Sequence, residues 1–266
     1  MRETYPIALL ERKAARLRKE SGNPNYRSKL ASDLSPSKLV QHTIVRPMKL
    51  LFLSPIVAAM CIYLAVMYGL LYILFTTFTF VFEEVYHFST SAAGFSFLGS
   101  GIGTILGLGY CGTMSDRIIK QKVAAGKTLK PEDRLPSMIT IPGSLGIPFG
   151  LIMYAWVTDK HVHWIVAQIG TAIAGFGIIG IVMCIQTYLV DAFTVYAASA
   201  IAASAVLRSL LGALLPLCGL DLYNAIGLGW GNTLLGLIAL ALAPILWIFA
   251  IYGERIRTNP RWQVNL

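Results

Sequence analysis

LLFLSPIVAAMCIYLAVMYGLLYILFTTFTFVF, residues 50–82, carries no charged side chain. A helix needs about 20 residues to cross the hydrocarbon of a bilayer, and this run exceeds that. Outward from it the pattern repeats. Residues 85–115, 135–158, 161–190 and 222–253 are uncharged, and 192–220 is interrupted only by Arg208. Charged residues make up 13% of the chain and apolar residues 56%, where a soluble domain holds about 25% charged. Backbone polar groups in lipid must be satisfied within the segment. The runs are long and lack the short alternating pattern of membrane strands. The fold class is therefore all-α: a polytopic membrane protein with six crossings at about 50–80, 91–112, 136–158, 162–187, 196–218 and 231–252.

Charge sets the expected direction. Of the 22 Lys and Arg, all except Lys160 and Arg208 lie in 1–49, 113–135 and 253–266, and in each segment they outnumber the acids. The alternate loops are short and hold Glu83-Glu84, Asp159-Lys160 and Asp221. The positive-inside rule places the basic segments and both termini in the cytoplasm. Tyr86, Phe88, Trp156, Trp164 and Trp230 fall at the opposite borders, where such rings favour the headgroup level. The net charge of +9 thus belongs to topology. Basic residues interleaved with aromatics on one face, or zinc-ligand spacing, would point to nucleic acid, and neither pattern stands out.

Residues 1–49 read as a cytoplasmic amphipathic helix followed by a linker, and 253–266 as a cytoplasmic tail. The N-terminus has basic residues where a signal peptide has an apolar core. Thr4 is placed to cap a helix over 5–20 that Gly22-Asn23-Pro24 ends. Ile7, Leu10, Ala14 and Leu17 form its apolar stripe and Arg12, Lys13, Arg16 and Lys19 its basic side. That suits either an anionic lipid surface or packing against the protein. Residues 21–46, rich in Ser, Asn and Pro, read as a flexible connection ending at Arg46-Pro47. Cys61, Cys111, Cys184 and Cys218 lie in apolar runs without metal spacing and read as small buried hydrophobes. No nucleophile–base constellation, metal cluster or cofactor motif appears, so no enzyme activity and no cofactor is expected.

Work inside a membrane falls to the few polar groups there. Arg208 stands midway along the fifth crossing, where a charge is costly. It either snorkels to the interface or faces a polar cavity, to bind substrate or hold a counter-charge. Asp191 is too far along the same segment to pair with it directly. Tyr68, Tyr72 and Thr76 recur every four residues and share one helical face, as cavity candidates. Thr77, Gln168, Gln186, Tyr188 and Asn232 either line a pathway or bond between helices. Glu83 and Glu84 sit at the outer mouth, as proton or cation acceptors or as an ordinary turn. Gly99, Gly103 and Gly107 make two GxxxG steps, with Gly101 and Gly109 beside them, for close helix approach or bending. Gly143 and Gly146-Ile-Pro148-Phe-Gly150 read as a break in the third crossing, and Gly175, Gly177 and Gly180 as one in the fourth.

Gly112-Thr-Met-Ser-Asp116-Arg117, with Lys120 and Lys122, resembles the cytoplasmic loop motif of the major facilitator superfamily. Tyr188-Leu-Val-Asp191-Ala-Phe, Tyr196-Ala-Ala-Ser199-Ala, Arg208-Ser209 and Pro216-Leu217 resemble the tenth-to-eleventh helix region of its fungal drug and polyamine:proton antiporters. Leu228-Gly-Trp230-Gly-Asn232 and Pro244 resemble their twelfth helix, and Phe80-Val-Phe-Glu83-Glu84-Val-Tyr86 the outer end of their seventh. Arg2-Glu3-Thr4-Tyr5-Pro6 resembles the exit from their sixth. The resemblance implies a six-helix bundle of the major facilitator type, the C-terminal half of a twelve-helix carrier. It also implies transport of a drug- or polyamine-like molecule coupled to protons. Gly112, Asp116, Arg117 and Asp191 would then gate the cytoplasmic side. The partners are the bilayer, the substrate, protons and a second six-helix bundle, either an N-terminal half or another copy. The plasma membrane is the expected location and the vacuolar membrane the alternative. The rival reading is a truncated, non-transporting fragment that packs with other membrane proteins.

Overall fold

The computed structural model of the chain describes residues 6–28, 36–126 and 128–258. Residues 2–5, with the cap expected at Thr4, lie outside them. The chain divides into two compact units, Met1–Val45 and Arg46–Leu266. In the first, α1 (Pro6–Ser21) carries two exposed ion pairs, Arg16–Glu20 and Arg18–Glu11, each at 2.7 Å. Leu10 and Leu17 of its apolar stripe are exposed. The segment that reads as a flexible connection is in part helical, since α2 runs Pro36–Leu53. Apolar residues at helical spacing, Ile44, Met48 and Leu51, support the helix although Pro47 removes one of its amide donors.

The first long apolar helix begins at Pro55 rather than Leu50. Ser54 has extended backbone angles (φ −99°, ψ 110°) and its hydroxyl accepts from Val57 N. Pro55 follows at the first helical position, where no amide is needed. α3 (Pro55–Glu84) is the central rod, with Tyr63, Phe78 and Phe82 fully buried. A short α4 (Thr90–Ala93) and a 3-10 turn lead into α5 (Phe97–Ala124). α6 (Ser137–Asp159) and α7 (Trp164–Phe193) follow, then α8 (Ala197–Leu214), a 3-10 turn at Leu215–Cys218 and α9 (Gly219–Thr258). Five helical tracts among the described residues are long and apolar enough to cross a membrane. The protein is an all-α, multi-pass membrane fold.

The last tract is not one rod. Gly227 has φ 80° and ψ 164°, a region closed to residues with a Cβ. Tyr223 donates its hydroxyl to Asn232 Oδ1 at 2.7 Å. On a straight helix that separation would be about 13 Å, so the chain doubles back at Gly227. Residues 219–226 run beside α3, where Gly219 meets Ile73 and Thr77. Residues 228–258 return along α6, where Gly236 meets Pro148 and Ile152.

Glycines set the other helix contacts. Gly146 and Gly150 of α6 pack on Gly177, Ala174 and Gly170 of an antiparallel α7. Both helices are continuous through these residues, so the expected breaks are instead sites of close backbone approach. Gly99, Gly103 and Gly107 pack on Gln168, Ala172 and Phe176 of α7, in the same chain direction. Gly101, Gly109 and Gly112 face open space. The interior between α3, α6 and α7 is filled. The gap bounded by Met67, Leu70, Leu74, Ile147, Leu151 and Ile178 measures about 10 Å³, roughly one water's worth, and its lining side chains are apolar. That gap is too small to take an organic solute.

Candidate functional site

The two ends of the bundle differ in chemistry. At one end Phe88 meets Trp164 with ring centroids 5.7 Å apart, and Trp156 meets Trp230 at 5.6 Å. The loops at 85–89, 160–163 and 227 therefore share a face. Glu83 and Glu84 close α3 there; Glu84 is exposed, and Glu83 has one buried carboxylate oxygen without a hydrogen-bond partner.

At the opposite end four residues of one loop do the tying. The 3-10 turn Pro131–Arg134 reaches three helices: Asp133 pairs with Lys122 of α5, Arg134 with Asp191 of α7 at 2.6 Å, and Glu132 with Arg257 of α9 at 3.2 Å. Lys130 adds a 2.8 Å pair to Glu254. Asp191 is thus a partner of Arg134 and not of Arg208. Asp116 and Arg117 are exposed on α5, which runs on past Gly112 as helix to Ala124. Gly112 makes neither a turn nor a close contact. The polar stretch 113–124 stays helical because its charges project into solvent from a rod already nucleated by the apolar part.

Burial acts to raise the Asp133 carboxyl. The hydrogen bonds from Lys122 and the Lys130 amide, with the charges of both lysines, outweigh it and hold the group below the usual carboxylate range. A folded pKa below the unfolded one gives stability that is present above about pH 4 and lost as pH falls through the folded value. The contribution is complete at neutral pH. D133N is therefore expected to speed tryptic cleavage after Lys122 and Arg134 several-fold at pH 7.4; unchanged cleavage would show that the turn is held by its other pairs.

Between the two ends, at mid-height, lies the polar group that sequence reasoning singled out. Arg208 Cζ sits 4.5 Å from the centre of the Tyr68 ring, and Nη1 donates to the Tyr68 hydroxyl at 3.4 Å. Tyr68 stacks on Tyr72 at 6.4 Å, and Tyr72 covers Gly212. Tyr68 is about 20 Å from either end of α3. Tyr72 and Thr76 are exposed along the same stripe, and the Thr76 hydroxyl bonds back to Tyr72 O and Ile73 O. So the structure brings Arg208, Tyr68 and Tyr72 together and leaves Thr76 on the edge. Gln168 joins helices instead: it accepts from Gly99 N at 2.8 Å and donates to Phe95 O at 3.2 Å. Asn232 is fully buried in its bond with Tyr223. Cys61, Cys111 and Cys184 are buried and Cys218 is exposed. Sequence reasoning missed the Pro131–Arg134 turn, whose partners lie up to 125 residues away.

A cation thus stands at mid-height on an aromatic stripe of an apolar bundle. The Major Facilitator Superfamily profile matches residues 7–216. The chain belongs to that superfamily. It is 51% identical over its whole length to the MFS-type transporter penM of Penicillium rubens, of which it covers 52%. It is 51% identical to the MFS-type transporter tndD of Aspergillus flavipes, with 97% of the chain covering 48% of that protein. To the efflux pump radE of Floropilus chiversii it is 46% identical, spanning 49% of it. The chain spans about half the length of the curated relatives it matches. No solved structure matches. The protein is a membrane protein of a fungal transporter family, not an enzyme.

Proposed function

We propose that this chain forms a six-helix bundle that serves as the second half of a major facilitator carrier. It moves a small organic molecule across the plasma membrane by alternating access, in exchange for protons. The reversal at Gly227 supports six crossings, because it turns the longest of the five apolar tracts into an outward and a return rod. The basic segments support a cytoplasmic side for the ion-paired end and both termini. A second bundle, from a longer chain or another copy, closes over the open face of α3 and α8 and rocks against it. Asp191 is one of the fastenings of the cytoplasmic end, Asp116 and Arg117 are free to meet the second bundle there, and Glu83 and Glu84 stand at the outer mouth. The name of one relative, an efflux pump, favours outward movement.

The observation that carries this reading is the Arg208–Tyr68–Tyr72 group, polar and half-exposed at the centre of two apolar rods. A charge at that depth is costly unless it serves a pathway. The test is the chain reconstituted in proteoliposomes, with rhodamine 6G, spermidine and 1-naphthoate as probes. At least one probe is expected to move above protein-free vesicles. Arg208→Ala is expected to cut that flux by about tenfold or more, while Thr128→Ala in the exposed loop leaves it unchanged. Flux of no probe, or equal flux in R208A, would overturn the proposal.

A further inference from the structure

Four cations of the ion-paired end, Lys122, Lys130, Arg134 and Arg257, each hold a carboxylate. Arg208 has no such partner among the described residues. Asp191, the acid that precedes it in the chain, is taken by Arg134. Glu83 lies fifteen residues beyond Tyr68 on α3, about 22 Å away. Its ring partner fixes the guanidinium without neutralising it. Tyr68 covers one face of the plane, and the single long hydrogen bond to its hydroxyl leaves the other N–H donors unspent. Nε and Nη2, which make no hydrogen bond among the described residues, are not shut away from the surface, so these donors are open to an arriving ligand.

From this geometry we infer that the site takes an amphipathic organic anion: a carboxylate, or an oxyanion of like shape, on an aromatic or apolar body. This rests on the transport reading and names its substrate class. The guanidinium offers parallel N–H groups that match the two oxygens of a carboxylate. Tyr72, stacked on Tyr68 and about half exposed, offers the next surface along α3 for an apolar body. A polyamine is excluded by the same charge. It would bring further cations to an uncompensated one in a medium that screens poorly. The site thus selects against the polyamine class that the sequence resemblance implies.

The experiment is equilibrium binding to the full chain in phosphatidylcholine nanodiscs, with 1-naphthoate and 1-naphthylmethylammonium as ring-matched probes. Naphthoate is expected to bind saturably and at least about tenfold more tightly than the ammonium probe. Arg208→Gln should weaken naphthoate by about 10- to 100-fold, the range of a lost charge-assisted hydrogen bond. Arg208→Lys keeps the charge and should retain part of the affinity. Discs containing phosphatidylglycerol should leave naphthoate affinity unchanged; competition by that lipid would assign the site to a lipid headgroup and overturn the inference. So would equal or better binding of the ammonium probe, no saturable binding of either, or unchanged naphthoate binding in a folded R208Q. A change in oligomeric state in R208Q without a change in affinity would make Arg208 a counter-charge between protein bundles and equally overturn it. Binding and flux separate the two claims. Anion selectivity without movement of any probe sinks the transport reading alone, and cation selectivity with intact flux sinks this one alone.

Discussion

Gly103→Ala is expected to destabilise the bundle by about 3 kcal/mol, at the upper end of the cost of overpacking. A Cβ at Gly103 would overlap the backbone of Ala172, coming within 2.7 Å of its Cα and closer still to its carbonyl. A flexible side chain swings away from such a clash, but a helix backbone does not. Relief requires moving α5 off α7, and the contacts on either side move with it: Gly107 packs on the Phe176 backbone, and Gly175 faces Ser100 O at 2.5 Å from its own Cβ position. Gly101→Ala and Gly109→Ala lie in the same helix with nothing within 4 Å. Each should be neutral or stabilising by up to about 1 kcal/mol, since alanine is the better helix former. Detergent-solubilised chains titrated with denaturant provide the comparison. Equal midpoints for G103A and G101A would show that the α5–α7 contact is looser than the structure has it.

That contrast shows what the sequence could and could not tell. A row of glycines four apart is visible in 99–107, and so is the interleaved pair Gly101 and Gly109. Which row faces a neighbour depends on how α5 is rotated, which an apolar run in lipid does not encode, because both faces are hydrophobic. The uncharged runs disclosed where helices lie for the same reason that they concealed helix ends. Hydropathy does not register Ser54 turning the backbone before Pro55, nor α5 continuing as a polar rod to Ala124. A turn between the fifth and sixth crossings was legible, but its place at Gly227 was hidden among glycines with other uses; only its positive φ distinguishes it from Gly229 and Gly231. Arg208 and Tyr68 were each legible as polar groups in apolar surroundings. Their meeting, across 140 residues, depends on α3 and α8 running side by side, and no local pattern contains that. The cysteines were read correctly at Cys61, Cys111 and Cys184. Cys218 differs because it falls in the 3-10 turn, where the chain leaves the packed face.

Arg257→Ala is expected to cost about 2–3 kcal/mol, the second largest effect. Glu132 has a side chain only 10% exposed, with one carboxylate oxygen accepting from Arg257 Nε and the other buried without a partner. Removing the guanidinium strands a carboxylate whose hydration has already been lost. A stranded buried charge costs about 3–5 kcal/mol, and the figure is lowered here because Arg257 is itself 31% exposed and partly screened. The neighbour on the same helix, Arg255, is exposed and serves as control: R255A should stay within about 0.5 kcal/mol. Glu132→Gln removes the charge that R257A would strand, so the double variant E132Q/R257A should be more stable than R257A alone. That ordering separates an electrostatic fastening from mere packing of the arginine stem, for which the two losses would add. The fastening matters for movement because Pro131–Arg134 reaches α5, α7 and α9 at once. If it holds, α5, α7 and α9 are fastened at this end as one body; if R257A leaves stability unchanged, the loop holds α9 through Lys130–Glu254 instead.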